Sequence, residues 1–158
     1  MAIKTGKVRD RRQIEYSSLQ QLLDEAEHLA SAGHRTLGNW SLGQVLAHLA
    51  AGMKMSIDGF EMKVPLPARI LGPLFLKRRF LKRGMPSGFQ LPPSAKALLP
   101  DEATSVEDGL QQLRDAIERL KSETARSPHP MFGSMSREES DRMQLRHAEL
   151  HMSFVVPA

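Results

Sequence analysis

Of the side chains in this sequence that could do chemistry, the six histidines stand out, and two of them, His147 and His151, are spaced four apart near its end. Residues four apart on a helix lie one above the other, so this pair can hold one cation from one side. The stretch from Ser136 to Phe154 reads as that helix. Its Met143, His147, Leu150, His151 and Phe154 fall within an arc about 100° wide, the width of a core-facing stripe. Two imidazoles turned inward need several hydrogen-bonding partners at once, and a shared cation would satisfy one nitrogen on each. The plainer alternatives are backbone carbonyls or water as partners, or a helix turned so that Leu145, Ala148 and Met152 form its buried side. Two residues of one helix cannot complete a coordination sphere, so a third ligand must come from a neighbouring helix. His48 is the candidate, at the edge of another apolar stripe. Gly52, one turn along, and Gly59 beyond it suggest close helix contact or open space beside a ligand, because glycine inside a helix costs about 1 kcal/mol relative to alanine.

Composition narrows the chemistry further. The chain has 158 residues and no cysteine, which removes disulfides, thiolate nucleophiles and Cys-containing zinc sites together. Any metal must be held by His, Asp or Glu. The length suits a single domain spanning 1–158 with one core. No apolar stretch follows the basic residues Met1 to Arg12, and no run has the roughly 18 apolar residues of a membrane span. A soluble, cytoplasmic protein is the expectation. The net charge of +4 is local, since Lys77, Arg78, Arg79, Lys82 and Arg83 alone exceed it. With one Trp and one Tyr, the stacking platforms of single-strand binders are absent, so no nucleic-acid partner is expected.

The elements that would position the histidines announce themselves at their starts. Ser17 with Gln20, Ser41 with Gln44, Thr104 with Glu107 and Ser136 with Glu139 each fit the S/T-x-x-E/Q capping box, and each precedes a periodic apolar pattern. The first carries Leu19, Leu22, Leu23, Ala26, Leu29 and Ala30, closed by Gly33. The second follows Trp40, which can staple onto Val45, and carries Leu42, Val45, Leu46, Leu49, Met53, Ile57 and Phe60, ending near Phe60. The third shows a heptad-like seam of Val106, Leu110, Leu113, Ile117 and Leu120. The histidine helix is the fourth. Four amphipathic helices, none able to bury its stripe alone, predict an all-α fold, a four-helix bundle. Between the second and third, Pro65, Pro67, Pro73, Pro86, Pro92, Pro93 and Pro100 exclude one regular helix. This reads as a long crossover with one short basic helix, Pro73 in its first turn and Gly84 after its end, bearing Leu74, Phe75, Leu76, Phe80 and Leu81. Gln13 to Tyr16 and Phe89 to Leu91 read as extended.

Two resemblances attach to these residues. Trp40-Ser-Leu-Gly-Gln-Val-Leu-Ala-His48-Leu, with His147-x-x-x-His151 near the end, resembles the DinB and YfiT-like superfamily of metal-binding four-helix bundles. Arg35-Thr-Leu-Gly-Asn-Trp-Ser-Leu-Gly, Phe75-Leu-Lys-Arg-Arg-Phe, His129-Pro-x-Phe-Gly133 and Arg146-His-Ala-Glu-Leu-His151 are similar to the uncharacterised branch known as domain of unknown function 1569, over nearly the whole chain. The superfamily resemblance implies a DinB-like fold with a facial site of nickel, zinc or iron held by His48, His147 and His151, water or substrate filling the other positions. It also implies transferase or isomerase chemistry with a low-molecular-weight thiol cosubstrate.

Three neutral imidazoles leave a divalent cation its full charge, which lowers the pKa of a bound water or thiol and makes a nucleophile near neutral pH. The expected function is therefore a metal-dependent transferase or hydrolase acting on a small-molecule substrate, with a homodimer as an option. With no cysteine on the chain, a thiol must arrive as cosubstrate. His129, between Pro128 and Pro130, could reach the site as a fourth ligand or a catalytic acid or base, although such loop histidines more often face solvent. The competing reading is a non-catalytic binding protein whose basic helix, 74–83, meets an anionic surface or acidic partner, with a structural metal or none.

Overall fold

A computed structural model of the chain describes residues 3–88 and 93–158. The fold is predominantly helical. Helices α1 (Leu19–Ala32), α2 (Leu42–Asp58), α3 (Leu66–Leu71), α4 (Lys77–Arg83), α5 (Val106–Ser122) and α6 (Arg137–Met152) follow in order, and short strands β1 (His34–Thr36) and β2 (Val155–Pro157) pair antiparallel. No helix among the described residues is long and apolar enough to cross a membrane.

The predicted start signals hold at α2 and α6, where Ser41 with Gln44 and Ser136 with Glu139 form complete capping boxes. At α1 and α5 the cap falls one residue later than expected. Ser18 accepts from the Gln21 amide and Ser105 from the Asp108 amide, because those pairs fit the same spacing and Thr104 spends its hydroxyl on the Asp101 carbonyl. Each such cap is worth about 1 kcal/mol.

α2 and α5 make the most extensive helix contact, and two glycines allow it. A Cβ on Gly43 would lie 2.4 Å from the Ser105 carbonyl oxygen, and one on Gly109 would lie 2.5 Å from the Gly43 carbonyl oxygen. Backbone therefore meets backbone at this crossing. The core forms around it from Leu22, Ala26 and Leu29 of α1, Leu42, Leu46, Leu49 and Met53 of α2, Leu113, Ile117 and Leu120 of α5, and Ala148 and Met152 of α6. Arg126 closes the far end of α5: its guanidinium donates to the carbonyls of Leu120, Glu123 and Ala125 and pairs with Asp141.

Several expectations at element ends are corrected. α2 stops at Asp58 because Gly59 takes φ +108°, so Gly59 ends the helix and does not open space along it. α6 stops at Met152, short of Phe154, and Val155–Pro157 pairs with β1, as befits β-branched residues. Arg12 fixes this exit by donating to the Met152 and Val155 carbonyls. Gln13–Tyr16 forms no strand; its Tyr16 amide instead donates to the Glu149 carboxylate. Phe89–Leu91 lies outside the described residues.

The crossover is also more helical than predicted. Helix begins at Leu66, with Pro67 in its first turn, and continues through a π-helical stretch, Gly72–Leu76, into α4. Pro73 thus sits inside the helical run, where the wider π turn accommodates its missing N–H. Phe80 of α4 is buried with Phe132 and Met143 in a second, smaller apolar cluster. A short 3₁₀ turn, Pro93–Leu98, then packs near α2.

Candidate metal centre

α6 is buried on two sides, which resolves the ambiguity in its sequence. Ala148 and Met152, with Leu145, face the main core, while Met143, His147, Leu150 and His151 line a cavity of ≈ 850 Å³. His48 of α2 projects toward the same place. The three expected histidines come together: His48, His147 and His151 each offer a ring nitrogen within 4.8 Å of the others. The ring centroids of the three pairs are 4.5–4.9 Å apart, all near edge-to-face. Among the described residues, this is the group of side chains able to hold a metal ion.

Protonation suits the arrangement. His48 Nδ1 lies 2.7 Å from the Leu98 carbonyl oxygen, so it carries a hydrogen and leaves the Nε2 lone pair directed inward. This is the carbonyl support typical of metal-ligating histidines. Burial pushes the His48 pKa down against that hydrogen bond. Burial, then the neighbouring charges of His151, His48 and His129, hold His147 well below the usual imidazole value. Burial, with a lesser effect of His48, lowers His151 to about 3. All three rings are neutral at neutral pH, the state a metal requires.

The donor set fits a divalent ion. His48 Nε2 and His147 Nε2 are 3.1 Å apart. Two imidazole nitrogens, each about 2.0–2.1 Å from one metal, stand about 2.9 Å apart at a right angle and about 3.3 Å apart at the tetrahedral angle. The observed spacing falls between these limits; the proton of one ring can bridge the two nitrogens, and so can a cation between them. The widest separation in the trio closes to the same range by drawing in at most about 1.5 Å, within reach of side-chain rotation.

The residues around the trio fix its orientation. Trp40 lies 4.7 Å from the His48 ring and stacks on His151 at 5.5 Å and 18°, so the residue expected to staple α2 also walls the histidines. A Cβ on Gly52 would touch the His147 ring at 3.5 Å, an ordinary contact; Gly52 brings α2 close to α6 and borders the cavity. Beside the trio on α6, Arg146 and Glu149 form a buried pair. Arg146 also donates to the Leu81 carbonyl and Glu149 accepts the Tyr16 amide, tying the helix to the crossover and to the N-terminal segment.

Gln144 was not among the predicted site residues. It is buried on α6 and lines the cavity, and its Oε1 has no partner among the described residues. An unpaired buried carbonyl is costly, and glutamine three residues before His147 is the signal that could have marked it.

His129 lines the same cavity but stands outside the trio. Its backbone exchanges two hydrogen bonds with Gly133, closing a tight turn. Its ring stacks on Phe132 at 4.5 Å and lies 5.1 Å from Phe60. Nδ1 accepts from the Met131 and Phe132 amides at 3.1 and 3.3 Å. That lone pair is therefore engaged, and the hydrogen of the neutral ring sits on Nε2. Burial lowers the pKa of His129 to about 4. This geometry presents a neutral N–H donor.

Compared with known protein families, residues 8–158 match the model described as a protein of unknown function, DUF1569. No curated protein and no solved structure matches the chain.

Proposed function

The chain belongs to the DUF1569 family, whose description carries no activity, and we propose that it is a metal-dependent enzyme of the DinB and YfiT-like kind. In this reading its long helices are the four-helix bundle of that superfamily, and His48, His147 and His151 are the ligands of one nickel, zinc or iron ion. The observation that carries the proposal is the meeting of three neutral imidazole nitrogens, from two helices, at the wall of an ≈ 850 Å³ cavity.

A divalent ion held there would retain its charge and acidify a bound water or thiol. The chain's own residues supply the rest. The Leu98 carbonyl orients His48, and Trp40 shields His151 from solvent. Phe60, Phe80 and Phe132 give the cavity apolar walls, suited to a small organic substrate whose few polar groups are read individually. Gln144 and the Nε2–H of His129 are the groups that do this reading. Because there is no cysteine, thiol chemistry would draw on a low-molecular-weight thiol cosubstrate, and hydrolysis on water.

The test is elemental analysis of protein purified without a histidine tag, after loading with each candidate metal and removal of excess, for the wild type and His147→Ala. The expected result is close to one tightly held ion per chain in the wild type and none in the variant. Equal metal in both proteins, or none in either, overturns the proposal.

A further inference from the structure

The helical run from Leu66 to Arg83 has an inner and an outer side. The inner side is docked: Gly72 is pressed against the Met131 backbone, Phe80 is buried, and Leu76 and Leu81 pack beside it. The outer side carries Leu66, Ile70, Leu71, Leu74 and Phe75, each 52–66% exposed. This is not a helix whose apolar face is docked and whose charges alone are solvated. Five large apolar side chains at helical spacing stand in solvent, and contiguous apolar exposure of this kind marks a contact surface.

Charge identifies what the surface meets. Arg69, Arg78, Arg79, Lys82 and Arg83 are exposed along the same run, and no Asp or Glu occurs between Glu61 and Asp101. Lys77 is paired with Glu139; no ion pair among the described residues engages Arg78, Arg79, Lys82 or Arg83. From Pro65 to Arg83 every residue is apolar, glycine, proline or cationic. A protein interface carries about one hydrogen bond per 100–200 Å², drawn from donors and acceptors on both sides, and the side chains of this run offer donors only. A lipid surface asks for an apolar face and cations only.

We propose that Leu66–Arg83 is an interfacial anchor that seats the protein on an anionic lipid bilayer. Leu66, Ile70, Leu71, Leu74 and Phe75 enter the acyl boundary, and Arg78, Arg79, Lys82 and Arg83 meet lipid phosphates. The anchor lies on the surface and spans nothing, and it stands independently of the metal reading.

Co-sedimentation of the full chain with phosphatidylcholine vesicles, alone or with about one-third phosphatidylglycerol, tests it. Binding is expected to the anionic vesicles only and to weaken about tenfold or more at about 0.5 M salt. Leu74→Ser with Phe75→Ser, and separately Arg78→Glu with Arg79→Glu, should each weaken it about tenfold or more, while far-UV circular dichroism stays unchanged, as these side chains are exposed. Three results overturn the proposal: no binding of the wild type to anionic vesicles, binding that the serine variant retains in full, or lipid-free self-association that the serine variant abolishes, which would make the stripe a contact between copies. The wild-type arms need no variant to fold.

Discussion

Acid should destabilise this protein in part through His129. Burial holds its ring at about 4 in the folded chain, against about 6.5 for an unperturbed imidazole. As pH falls the unfolded chain takes up this proton first. The stability contribution is therefore whole above the unfolded value and is lost as pH drops toward the folded one. A gap of about 2.5 units at about 1.4 kcal/mol each gives a loss of about 3 kcal/mol. His48, His147 and His151 are displaced in the same direction, so the wild type's acid sensitivity alone does not isolate His129. His129→Asn does. The Asn Oδ1 takes the place of Nδ1 and can accept from the Met131 and Phe132 amides, keeping the turn without a titrating group. Urea unfolding at about pH 7 and about pH 4 should show the variant losing about 3 kcal/mol less than the wild type. Side-chain ¹⁵N spectra of the wild type should show Nδ1 unprotonated. An imidazole midpoint near the unperturbed value, or identical pH dependence in the two proteins, would refute the reasoning.

Other outcomes follow from contacts already described. Gly109→Ala sets a Cβ 2.5 Å from the Gly43 carbonyl oxygen and should cost about 2 kcal/mol or more in urea unfolding, whereas Gly52→Ala, meeting His147 at 3.5 Å, should stay within about 1 kcal/mol of wild type. Gln144→Leu removes a buried oxygen that lacks a partner, so thermal unfolding should show it neutral or up to about 1 kcal/mol more stable, with weaker retention of any small molecule found to enter the cavity. Arg126→Met leaves the Glu123 and Ala125 carbonyls without its guanidinium and Asp141 and the Leu120 carbonyl with Arg137 alone, and should lower stability by about 2 kcal/mol, read by calorimetry.

The helix starts and the pair His147 and His151 were legible because both rest on local spacing, whereas His48 followed from its place at the edge of the α2 stripe and from the superfamily resemblance. A capping serine acts three residues along the chain, and an i, i+4 pair is fixed by helix geometry whatever surrounds it. What was hidden rests on distant contacts. That Gly43 and Gly109 meet backbone to backbone depends on the angle at which α2 and α5 cross, which neither stripe encodes. The exact capping residue slipped by one at Ser18 and Ser105 because two overlapping matches compete and the neighbouring turn decides. The single inward arc assigned to α6 was half of the answer, since a helix between a core and a cavity has two buried sides. The proline count obscured the helix at Leu66, because a π turn absorbs Pro73. For His129 the sequence offered a ring in a loop; only the two amides on Nδ1 define which nitrogen carries the proton.

The seat of Gly72 links outside to inside. A Cβ there would stand 2.3 Å from the Met131 oxygen, so only glycine lets the crossover lie this close to the turn holding His129. A larger residue at this position would lift the crossover away from the rim where His129 sits. The exposed ridge and the wall of the chamber thus share one backbone contact that a single methyl group would open.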